Sequence, residues 1–414
     1  MKVLILNSSD INGGAARAAY RLHRSLLEQG VDSQMLVQSK QTDDYTVKTS
    51  GKTKIQKGIN ILRPSLDSIP VASYKDRSKT LFSPSCLGFS NIVNMINDIN
   101  PDIVHLHWIC GGMMRIEDIS HIKAPIVWSL HDMWPFTGGC HYDEDCFGYE
   151  KNCGNCKVLR SKKENDLSKS VFKRKSRTYN KINSLTIVGS SKWISSCAKN
   201  STLFKDNDTF TLPNCIDTKL FRPIDKSIVK TIFNIPKDKK IILFGAMHSL
   251  GDPRKGSKEL FDAINMLDLK ETVFVIAGSS QTKEMLELKY PVYFISPLRD
   301  EVSLPLMYNV ADVMIVPSLQ ENLANSIVES LACGIPVVAF DIGGNKDMID
   351  HMENGYLAKA KNSEDMSNGI KWVIENKNYL KLSENARKKV INIFDSKVVA
   401  KKYIGLYEKI ANQL

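Results

Sequence analysis

Residues 316–344 read VPSLQENLANSIVESLACGIPVVAFDIGG, and this stretch carries the pattern of a strand, a helix and a second strand. The apolar run Val313–Val316 predicts a strand that stops at Pro317. A helix is expected to begin near Ala324 and to end at Gly334, because glycine is the residue type that most often follows a helix. A unit of this kind belongs to a mostly parallel sheet.

The same alternation of apolar runs and helical spacing extends through the whole chain, in two series joined by the segment 217–237. A chain of 414 residues is also too long for one hydrophobic core. We therefore predict an α/β protein with a first domain over 1–216 and a second over 217–395. The runs that predict strands are 2–6, 34–38, 102–107, 125–130 and 185–188 in the first domain, and IILF, TVFVIA, VMIV and PVVAF in the second.

The composition favours anionic partners and gives no sign of a membrane span. The chain has 56 Lys and Arg against 45 Asp and Glu, which suits nucleotides or an anionic membrane face and equally a well-solvated surface. It carries no nucleic-acid-binding signature, so nucleic acid is not an expected partner. No apolar run approaches the roughly 18 residues that span a bilayer, and the start MKVLILNSSD fits a strand better than a secretion signal. We expect a cytoplasmic protein.

Two glutamates flank the predicted helix start in residues 316–344. Glu321 lies in the loop before the helix and Glu329 lies within it, with Asn322 or Asn325 as the cap. The backbone N–H groups at a helix start attract a diphosphate. A carboxylate on each side would then accept hydrogen bonds from vicinal hydroxyls, of a sugar at one end and a ribose at the other. The alternative is a pair of solvated carboxylates. The predicted anion site comprises Leu323, Ala324 and Asn325.

A basic loop follows the predicted strand over 241–244. Arg254 and Lys255 are neighbours in it, and two fixed cations at the carboxyl end of a strand suit a diphosphate. Such cations stabilise the negative charge that builds on a leaving nucleotide, most of all in the transition state. A basic turn on the protein surface is the alternative interpretation.

The first domain offers a glycine loop and histidines at strand ends. Gly13 and Gly14 follow the first strand, where glycine lets the backbone approach a ligand closely. His131 ends a later strand, as a candidate site residue or as a partner in a structural hydrogen bond. His105 and His107 share one strand face, so we expect one of them to be structural, with His107 the candidate to face the site.

A cysteine-rich loop over 138–157 follows the strand that ends at His131. Four thiolates so close together suit a tetrahedral structural zinc site, which would fasten a loop that has no core of its own. His141 is a substitute for one of the ligands, and two disulfides or free thiols are the alternatives. The acidic run 143–145 in the same loop is interpreted as solvated charge. The four cysteines are Cys140, Cys146, Cys153 and Cys156.

Several stretches together resemble retaining glycosyltransferase family 4, and they cover nearly the whole chain. Cys215 stands where the family usually has glycine, and Ala246 stands where it usually has arginine, so the role of that arginine is assigned to Arg254. The loop HDMWPFTGGCHYDEDC resembles the branch that builds bacterial surface polysaccharides such as colanic acid, capsule and O-antigen. The stretches are 212–223, like the domain junction; 243–256, like the G-R-x-x-x-x-K-G loop; 296–318, like the strand before the glutamates; and 316–344, like the E-x7-E region.

The resemblance implies a GT-B fold, with two Rossmann-like domains facing a central cleft and a helix over 396–414 packed back on the first domain. It implies retaining transfer of a hexose from a nucleoside-diphosphate sugar to a glycan or polyprenyl-linked glycan, with no metal cofactor in catalysis. Glu321 would orient the sugar while the departing phosphate oxygen takes the proton of the acceptor. His131 would lie near the transferred sugar, and Gly13 and Gly14 would face phosphate and acceptor. The rivals are a nucleotide-sugar epimerase of the same fold and an inactive nucleotide-binding module.

The segment 157–181 reads KVLRSKKENDLSKSVFKRKSRTYNK and is strongly basic. An amphipathic basic helix here would attach the protein peripherally to the anionic inner face of a membrane, where a lipid-linked acceptor is held. A solvated helix that covers the first domain is the equal alternative.

Overall fold

A computed structural model describes residues 1–51, 53–88, 91–245, 252–278, 288–298 and 300–413. The chain folds as two compact units, of which the first is Met1–Cys215 with Val399–Leu414 and the second is Ile216–Val398. The sequence placed this junction one residue later, after 216, and assigned the last helix to the first domain from 396 onward. The predicted replacement at Ala246 lies outside the described residues.

The first unit contains a seven-stranded sheet in which all neighbouring strands are parallel. Its strands are β1 (Lys2–Ser9), β2 (Asp32–Ser39), β3 (Val47–Thr49), β4 (Ile103–Leu106), β5 (Ile126–Leu130), β6 (Leu185–Gly189) and β7 (Thr209–Thr211). They are ordered β3-β2-β1-β4-β5-β6-β7, with Val3 of β1 paired to Ser33 of β2 and Ile103 of β4. The central strands are buried on both faces, so they read as apolar runs such as VLIL.

The first helix packs against this sheet through one apolar side. The first helix buries Ala19, Leu22 and Leu26 at helical spacing against β1 and β2. Among the described residues, no helix combines the length and the apolar character needed to cross a membrane. The helices before the junction are α1 (Gly14–Glu28), α2 (Lys54–Asp67), α3 (Ile92–Ile99), α4 (Leu167–Tyr179) and α5 (Lys192–Asn200), with 3-10 turns at Ile69–Ser73, Ile116–His121, Trp134–Phe136 and Gly148–Glu150.

The second unit contains a six-stranded parallel sheet ordered in the same way. Its strands are β8 (Lys240–Gly245), β9 (Thr272–Ala277), β10 (Val292–Ile295), β11 (Val313–Val316), β12 (Val337–Phe340) and β13 (Gly355–Ala358), in the order β10-β9-β8-β11-β12-β13. The described helices are α6 (Lys226–Ile232), α7 (Ser257–Met266), α8 (Ser303–Asn309), α9 (Asn325–Ala332), α10 (Asn345–Met348), α11 (Ser363–Ile374) and α12 (Tyr379–Ile393), with a 3-10 turn at Pro253–Lys255.

The last helix, α13 (Ser396–Ala411), returns to the first unit from Val399 onward. It buries two tyrosines against the sheet, and both hydroxyls find polar partners there. Tyr407 bonds to His105 Nδ1 at 2.7 Å, and Tyr403 lies 3.0 Å from Ser129 Oγ. Ser129 Oγ also lies 2.8 Å from His105 Nε2. Both ring nitrogens of His105 are thus occupied, and burial lowers its pKa to about 3, so His105 is the structural member of the histidine pair.

Replacing Tyr407 with Phe should destabilise the first unit. The substitution leaves His105 Nδ1 buried without its partner, which costs about 1–3 kcal/mol. Urea unfolding should therefore give a lower midpoint for Tyr407→Phe than for wild type. Tyr45→Phe is the matched control, because Tyr45 is 90% exposed and should leave the midpoint unchanged. An equal midpoint for both variants would show that the buried bond contributes nothing.

Candidate functional site

The strand order of each sheet reverses next to its first strand. The reversal lies between β1 and β4 in the first unit and between β8 and β11 in the second. In open α/β sheets, ligands bind outside the carboxyl ends of the strands at such a point. The loops that leave three of these four strands carry predicted site residues, namely Gly13 after β1, Lys255 after β8 and Glu321 after β11.

An ion pair joins the two loops at the reversal in the second unit. Lys255 Nζ lies 2.5 Å from Glu321 Oε2, although the two residues are 66 positions apart. Asp252 shapes the basic turn, since its carboxylate accepts the backbone N–H of Arg254 at 3.0 Å and a guanidinium N–H at 2.6 Å. The structure therefore brings Arg254, Lys255 and Glu321 together, and their role in binding phosphate stays a prediction.

Glu321 is held as a buried carboxylate. It is 8% exposed, and its Oε1 accepts the backbone N–H of Asn322 at 3.2 Å. Burial by itself opposes ionisation, but the nearby charges of Lys255 and Arg254 outweigh it and lower the pKa of the Glu321 carboxyl. The group is therefore charged at neutral pH and can only accept hydrogen bonds.

Two glycines let the surrounding loops close on this ion pair. Gly256 has φ +66°, and a Cβ at that position would lie 1.9 Å from the carbonyl oxygen of Pro317. Gly343 has φ +48°, and a Cβ there would lie 1.9 Å from the carbonyl oxygen of Glu321. Any larger residue would push the basic turn or the 341–344 loop away from Glu321, so both positions require glycine. Gly343 carries no sequence signal that predicts this role.

Glu329 lies in α9, the helix that follows the Glu321 loop. Its hydrogen-bond partner was not predicted from the sequence. Glu329 is 4% exposed on α9, and its Oε2 accepts the Tyr308 hydroxyl at 2.6 Å. Tyr308 belongs to α8, whose position beside α9 no spacing rule predicts. The hydrogen bond from the Tyr308 hydroxyl therefore orients the Glu329 carboxylate.

The start of α9 differs from its prediction in how it is capped. Ala324 occupies the N-cap position, Asn325 is the first helical residue, and no side chain caps the helix. The expected cap by Asn322 or Asn325 is therefore wrong, because the loop enters the helix through an apolar residue. The predicted anion site, Leu323 to Asn325, lies at this uncapped start, where the helix dipole favours negative charge.

The first unit holds a pocket of about 1100 Å³ at the carboxyl ends of its strands. Gly13, at the N-cap of α1 with φ +96°, would have open space around an added Cβ, so its backbone conformation is what requires glycine. Asp10, missed by the sequence analysis, accepts the backbone N–H groups of Gln41 and Thr42 at 2.9 and 2.8 Å and so ties two rim loops together. Lining residues include Asn7, Asn12, Gly13, Gly14, Gln41, Lys57, Asn60, Trp108, His131 and Asp132.

His131 lines this pocket, and His107 lies behind it. The His131 Nε2 and His107 Nδ1 atoms are 2.8 Å apart. Burial lowers the pKa of His131 to about 4 and, together with the neighbouring His105, holds the pKa of His107 well below its usual range. Both rings are neutral at physiological pH. His107, the candidate to face the site, is 5% exposed and is not among the residues that line this pocket.

Asp132, which lines this pocket, pairs with His141, which is buried. His141 Nδ1 lies 2.7 Å from Asp132 Oδ2, and His141 Nε2 lies 2.8 Å from Ser83 Oγ. Trp108 Nε1 also donates to Asp132 Oδ2 at 3.1 Å. Both ring nitrogens of His141 contact other side chains, and His141 as a substitute zinc ligand stays a prediction.

The cysteine-rich loop gives the zinc prediction no support. Within the described ranges, no group of three or more His, Cys, Asp or Glu residues is arranged to hold a metal ion. Burial raises the pKa of the Cys153 thiol to about 12 and that of Cys156 to about 11. The four cysteines of the loop do not form disulfides with one another; they are Cys140, Cys146, Cys153 and Cys156. Zinc at this loop stays a prediction.

Two other interpretations of this region change in the structure. Asp143 is 2% exposed and accepts the backbone N–H groups of Asp145 and Phe147, so it fastens its loop and is not solvated.

In the basic segment 157–181, helix α4 turns its apolar side chains Val171 and Phe172 into the protein. The segment therefore covers the first unit and offers no apolar face to a membrane.

Comparison with known proteins identifies the family. Residues 12–220 match the family model described as Glycosyltransferase Family 4, and residues 225–389 match the model described as Glycosyl transferases group 1. The first match alone covers more than half of the chain. The chain belongs to glycosyltransferase family 4.

Curated relatives match parts of this family 4 chain. A Campylobacter jejuni protein named N,N'-diacetylbacillosaminyl-diphospho-undecaprenol alpha-1,3-N-acetylgalactosaminyltransferase is 29% identical over 203 residues, which are 47% of this chain and 52% of the relative. An Escherichia coli protein named UDP-Gal:alpha-D-GlcNAc-diphosphoundecaprenol alpha-1,3-galactosyltransferase is 25% identical over 194 residues, 44% of this chain and 50% of the relative. The chain spans about half the length of these two relatives.

Solved structures match the family 4 chain over its whole length. The sucrose-phosphate synthase of Thermosynechococcus elongatus superposes with a TM-score of 0.67 at 15% identity and covers 100% of both chains. The Anabaena protein HepE in complex with UDP-glucose gives a TM-score of 0.67 at 15% identity, over 99% of this chain and 100% of the other. At this identity the likeness establishes the fold, which is GT-B, as the sequence predicted.

Acidic pH should destabilise the first unit of this family 4 protein through His131. Burial holds the folded pKa at about 4 against an ordinary value of 6.5, so the unfolded chain binds more protons between these values. Stability is therefore present above pH 6.5 and is lost as the pH falls below it, by about 2 kcal/mol between pH 7 and pH 5.

Urea unfolding at both pH values checks this expectation. His131→Asn should lose less stability on acidification than wild type, because it removes the titrating ring. The exposed His121→Asn should lose as much as wild type. Equal losses in the two variants would contradict the assignment to His131.

Proposed function

We propose that this chain is a retaining glycosyltransferase that moves a hexose from a nucleoside-diphosphate sugar to a lipid-linked glycan. The observation that carries the proposal is the contact of Lys255 with Glu321 at the strand-order reversal, with Glu329 buried on the following helix. Membership of family 4 supports glycosyl transfer. The names of the two relatives, which include undecaprenol diphosphate-linked sugars, support the acceptor class and a place in bacterial polysaccharide synthesis.

The donor diphosphate is assigned to the start of α9 and the adjacent basic turn. Lys255 and Arg254 supply fixed positive charge there, and the uncapped helix start adds its dipole. Glu321, ionised and buried, accepts hydrogen bonds from sugar hydroxyls, while Glu329 accepts them from the ribose. Lys255 and Glu321 balance each other's charge through their ion pair.

Catalysis follows from where negative charge develops. As the bond between the anomeric carbon and the phosphate oxygen breaks, charge accumulates on the departing diphosphate. Lys255 and Arg254 stabilise that charge more strongly in the transition state than in the bound donor, and this difference lowers the barrier. No divalent metal is assigned to the reaction, because these two cations and the helix start take its usual place.

Retention is assigned to displacement on one face of the sugar. The acceptor oxygen bonds to the anomeric carbon on the side from which the phosphate leaves, and the departing phosphate oxygen takes the acceptor proton. Glu321 orients the sugar and forms no covalent bond, since its carboxylate is already held by Lys255 and the N–H of Asn322. His131, kept neutral by burial, exchanges a hydrogen bond with a hydroxyl of the transferred sugar.

The acceptor glycan is assigned to the pocket of the first unit. Its walls present amides, hydroxyls and the Trp108 ring, which are the groups that bind sugars through hydrogen bonds and stacking. Gly13 and Gly14 bring the backbone close to the bound acceptor. His131, which burial keeps neutral, adds no charge to this wall.

The proposal is tested by donor turnover. Purified protein is offered UDP-, GDP-, ADP- and dTDP-sugars with a polyprenyl-diphosphate-linked sugar, and both nucleoside diphosphate release and glycosylated product are measured. We expect one donor to be consumed with product formed in equal amount. Donor conversion without an acceptor product would favour the epimerase, and nucleotide binding without turnover would favour the inactive module. Either result would overturn the proposal.

Lys255→Gln should lower kcat by about 100-fold to 1000-fold, because it removes a fixed charge from the leaving group. Lys258→Gln is its matched control, since Lys258 is exposed on the neighbouring helix α7 and should leave kcat unchanged. Circular dichroism of both variants checks that they fold. Equal kcat in the two variants would remove Lys255 from the mechanism.

Tyr308→Phe should raise KM for the donor by about fivefold to tenfold and leave kcat close to wild type, because it loosens Glu329 without touching the leaving group. Glu329→Gln should raise the same KM further, while Glu375→Gln, at an exposed position, should change nothing. A fall in kcat with KM unchanged would show that Tyr308 does not act through donor binding.

A further inference from the structure

Asp132 lies in the wall of the first-unit pocket, and its carboxylate is held by the protein on both oxygens. It comes just after β5 and is among the residues that line the pocket. Its Oδ2 accepts the Trp108 Nε1–H at 3.1 Å and lies 2.7 Å from His141 Nδ1. Its Oδ1 accepts the backbone N–H of Trp134 at 2.9 Å. These contacts fix the plane of the carboxylate.

Asp132 is ionised in the folded protein. Burial opposes ionisation, but the contact with His141 and the backbone N–H of Trp134 outweigh it and lower the pKa of the Asp132 carboxyl. An ionised carboxylate only accepts hydrogen bonds, so His141 Nδ1 is the donor in their contact. For the same reason, any neutral group that binds Asp132 from the pocket must bring a donor.

The Oδ1 atom of Asp132 can accept a further donor. A carboxylate oxygen accepts about two hydrogen bonds. Within the part of the chain that the structure describes, Oδ1 has one donor and Oδ2 has two. The side chain of Asp132 is 13% exposed, whereas that of His141 is 4% exposed and His141 does not line the pocket. Asp132 is therefore the member of this pair that a bound molecule can reach.

Trp108 lies beside this carboxylate in the same pocket wall. Its backbone N–H donates to Asn7 Oδ1 at 2.8 Å, and its carbonyl accepts the backbone N–H of Ser8 at 2.8 Å. The only polar group of its ring donates to Asp132, so the ring faces offer carbon atoms to a ligand. Because an indole N–H points along the plane of the ring, Asp132 lies at the edge of the ring. Hydroxyl groups of a sugar that stacks on the ring face would project past this edge.

We propose that Asp132 binds a hydroxyl group of the acceptor sugar through Oδ1 while the sugar ring stacks on Trp108. His141 is then a positioning residue, because it acts on the sugar only through the carboxylate that it holds. The inference rests on the proposed function, which assigns the acceptor glycan to this pocket, and it adds the class of sugar. A fixed negative charge at the ring edge favours an uncharged sugar over a uronic acid, whose carboxylate it would repel.

The cysteine-rich loop 138–157 acquires a role from this arrangement. It carries His141, whose backbone N–H donates to the Leu81 carbonyl at 3.0 Å and whose Nε2 lies 2.8 Å from Ser83 Oγ. Both contacts anchor the loop to the segment over 81–83, and His141 then reaches Asp132. The loop therefore sets the position of a side chain that binds the acceptor, although the loop follows that side chain in the sequence.

The test is binding of methyl glycosides to the full chain without nucleotide, measured by ligand-observed NMR titration. The panel comprises the methyl glycosides of glucose, galactose and N-acetylglucosamine, their monodeoxy forms and methyl glucuronide. We expect a neutral glycoside to bind wild type, and glucuronide to bind more weakly than glucoside. One monodeoxy form should bind about tenfold to 100-fold more weakly than its parent, which is the loss expected when a hydrogen bond to a charged group is removed.

Asp132→Asn should weaken binding of the parent glycoside about tenfold, because the acceptor loses its charge. The sensitive monodeoxy form should bind this variant as it binds wild type, since it makes no contact with Asp132. A merely structural effect would weaken both forms equally. Asp98→Asn, at an exposed position on α3 of the same unit, is the matched control and should bind like wild type.

His141→Ala carries the same comparison with the carboxylate still present in the chain. It should weaken binding of the parent more than of the monodeoxy form, and His141→Asn should recover part of the loss, because its amide nitrogen can donate to Asp132. The exposed His121→Ala is the control. Circular dichroism checks that each variant folds. The inference is overturned if no glycoside binds wild type, if glucuronide binds as well as glucoside, or if the variants weaken parent and monodeoxy forms alike.

Turnover separates this inference from the proposed function. With a nucleotide-sugar donor and a polyprenyl-diphosphate-linked sugar, Asp132→Asn should raise KM for the acceptor and leave KM for the donor unchanged. If wild type consumes no donor, the proposed function fails, while the glycoside titration still decides whether Asp132 recognises a sugar.

Discussion

Burial of parallel strands on both faces is the constraint on which the rest of this structure depends. Central strands such as β1 and β11 have no solvent side, so they admit little except apolar residues. Polar and charged side chains that can bind a ligand therefore lie in the loops at the strand ends. The reversal of strand order beside β1 and β8 then opens the point where two such loops can face one ligand.

The two units use this constraint in different ways. In the second unit, Gly256 and Gly343 allow the loops to pack closely against each other. Lys255 and Glu321 form an ion pair there, so this centre is charged and closely packed. In the first unit the loops stay apart and leave a pocket, whose histidines are neutral because burial outweighs every nearby charge. The charged centre suits a diphosphate, and the pocket, whose walls present amides, hydroxyls and the Trp108 ring, suits a sugar, as the proposed function requires.

Amphipathic patterns in this chain show why a helix must be placed before its face can be interpreted. The basic segment 157–181 and helix α2 both alternate apolar and charged residues. In α4 the apolar side faces the core, whereas in α2 the polar residues Asn60 and Asp67 do so and an apolar stripe that includes Leu62 faces outward. Helical spacing reveals that a stripe exists, but what covers the stripe depends on residues far away in the chain.

The sequence by itself determined the α/β class and the two parallel-sheet domains, because strand periodicity and helix-end residues are local properties. Its resemblance to family 4 implied the GT-B fold and the segments that carry the candidate site. Only the tertiary structure decided the pairing of Tyr308 with Glu329, the placement of His107 behind His131 and the engagement of His141 by Asp132. Each of these contacts joins separate elements, whose approach depends on packing of the whole unit. Local spacing cannot report which side chains meet once those elements are packed.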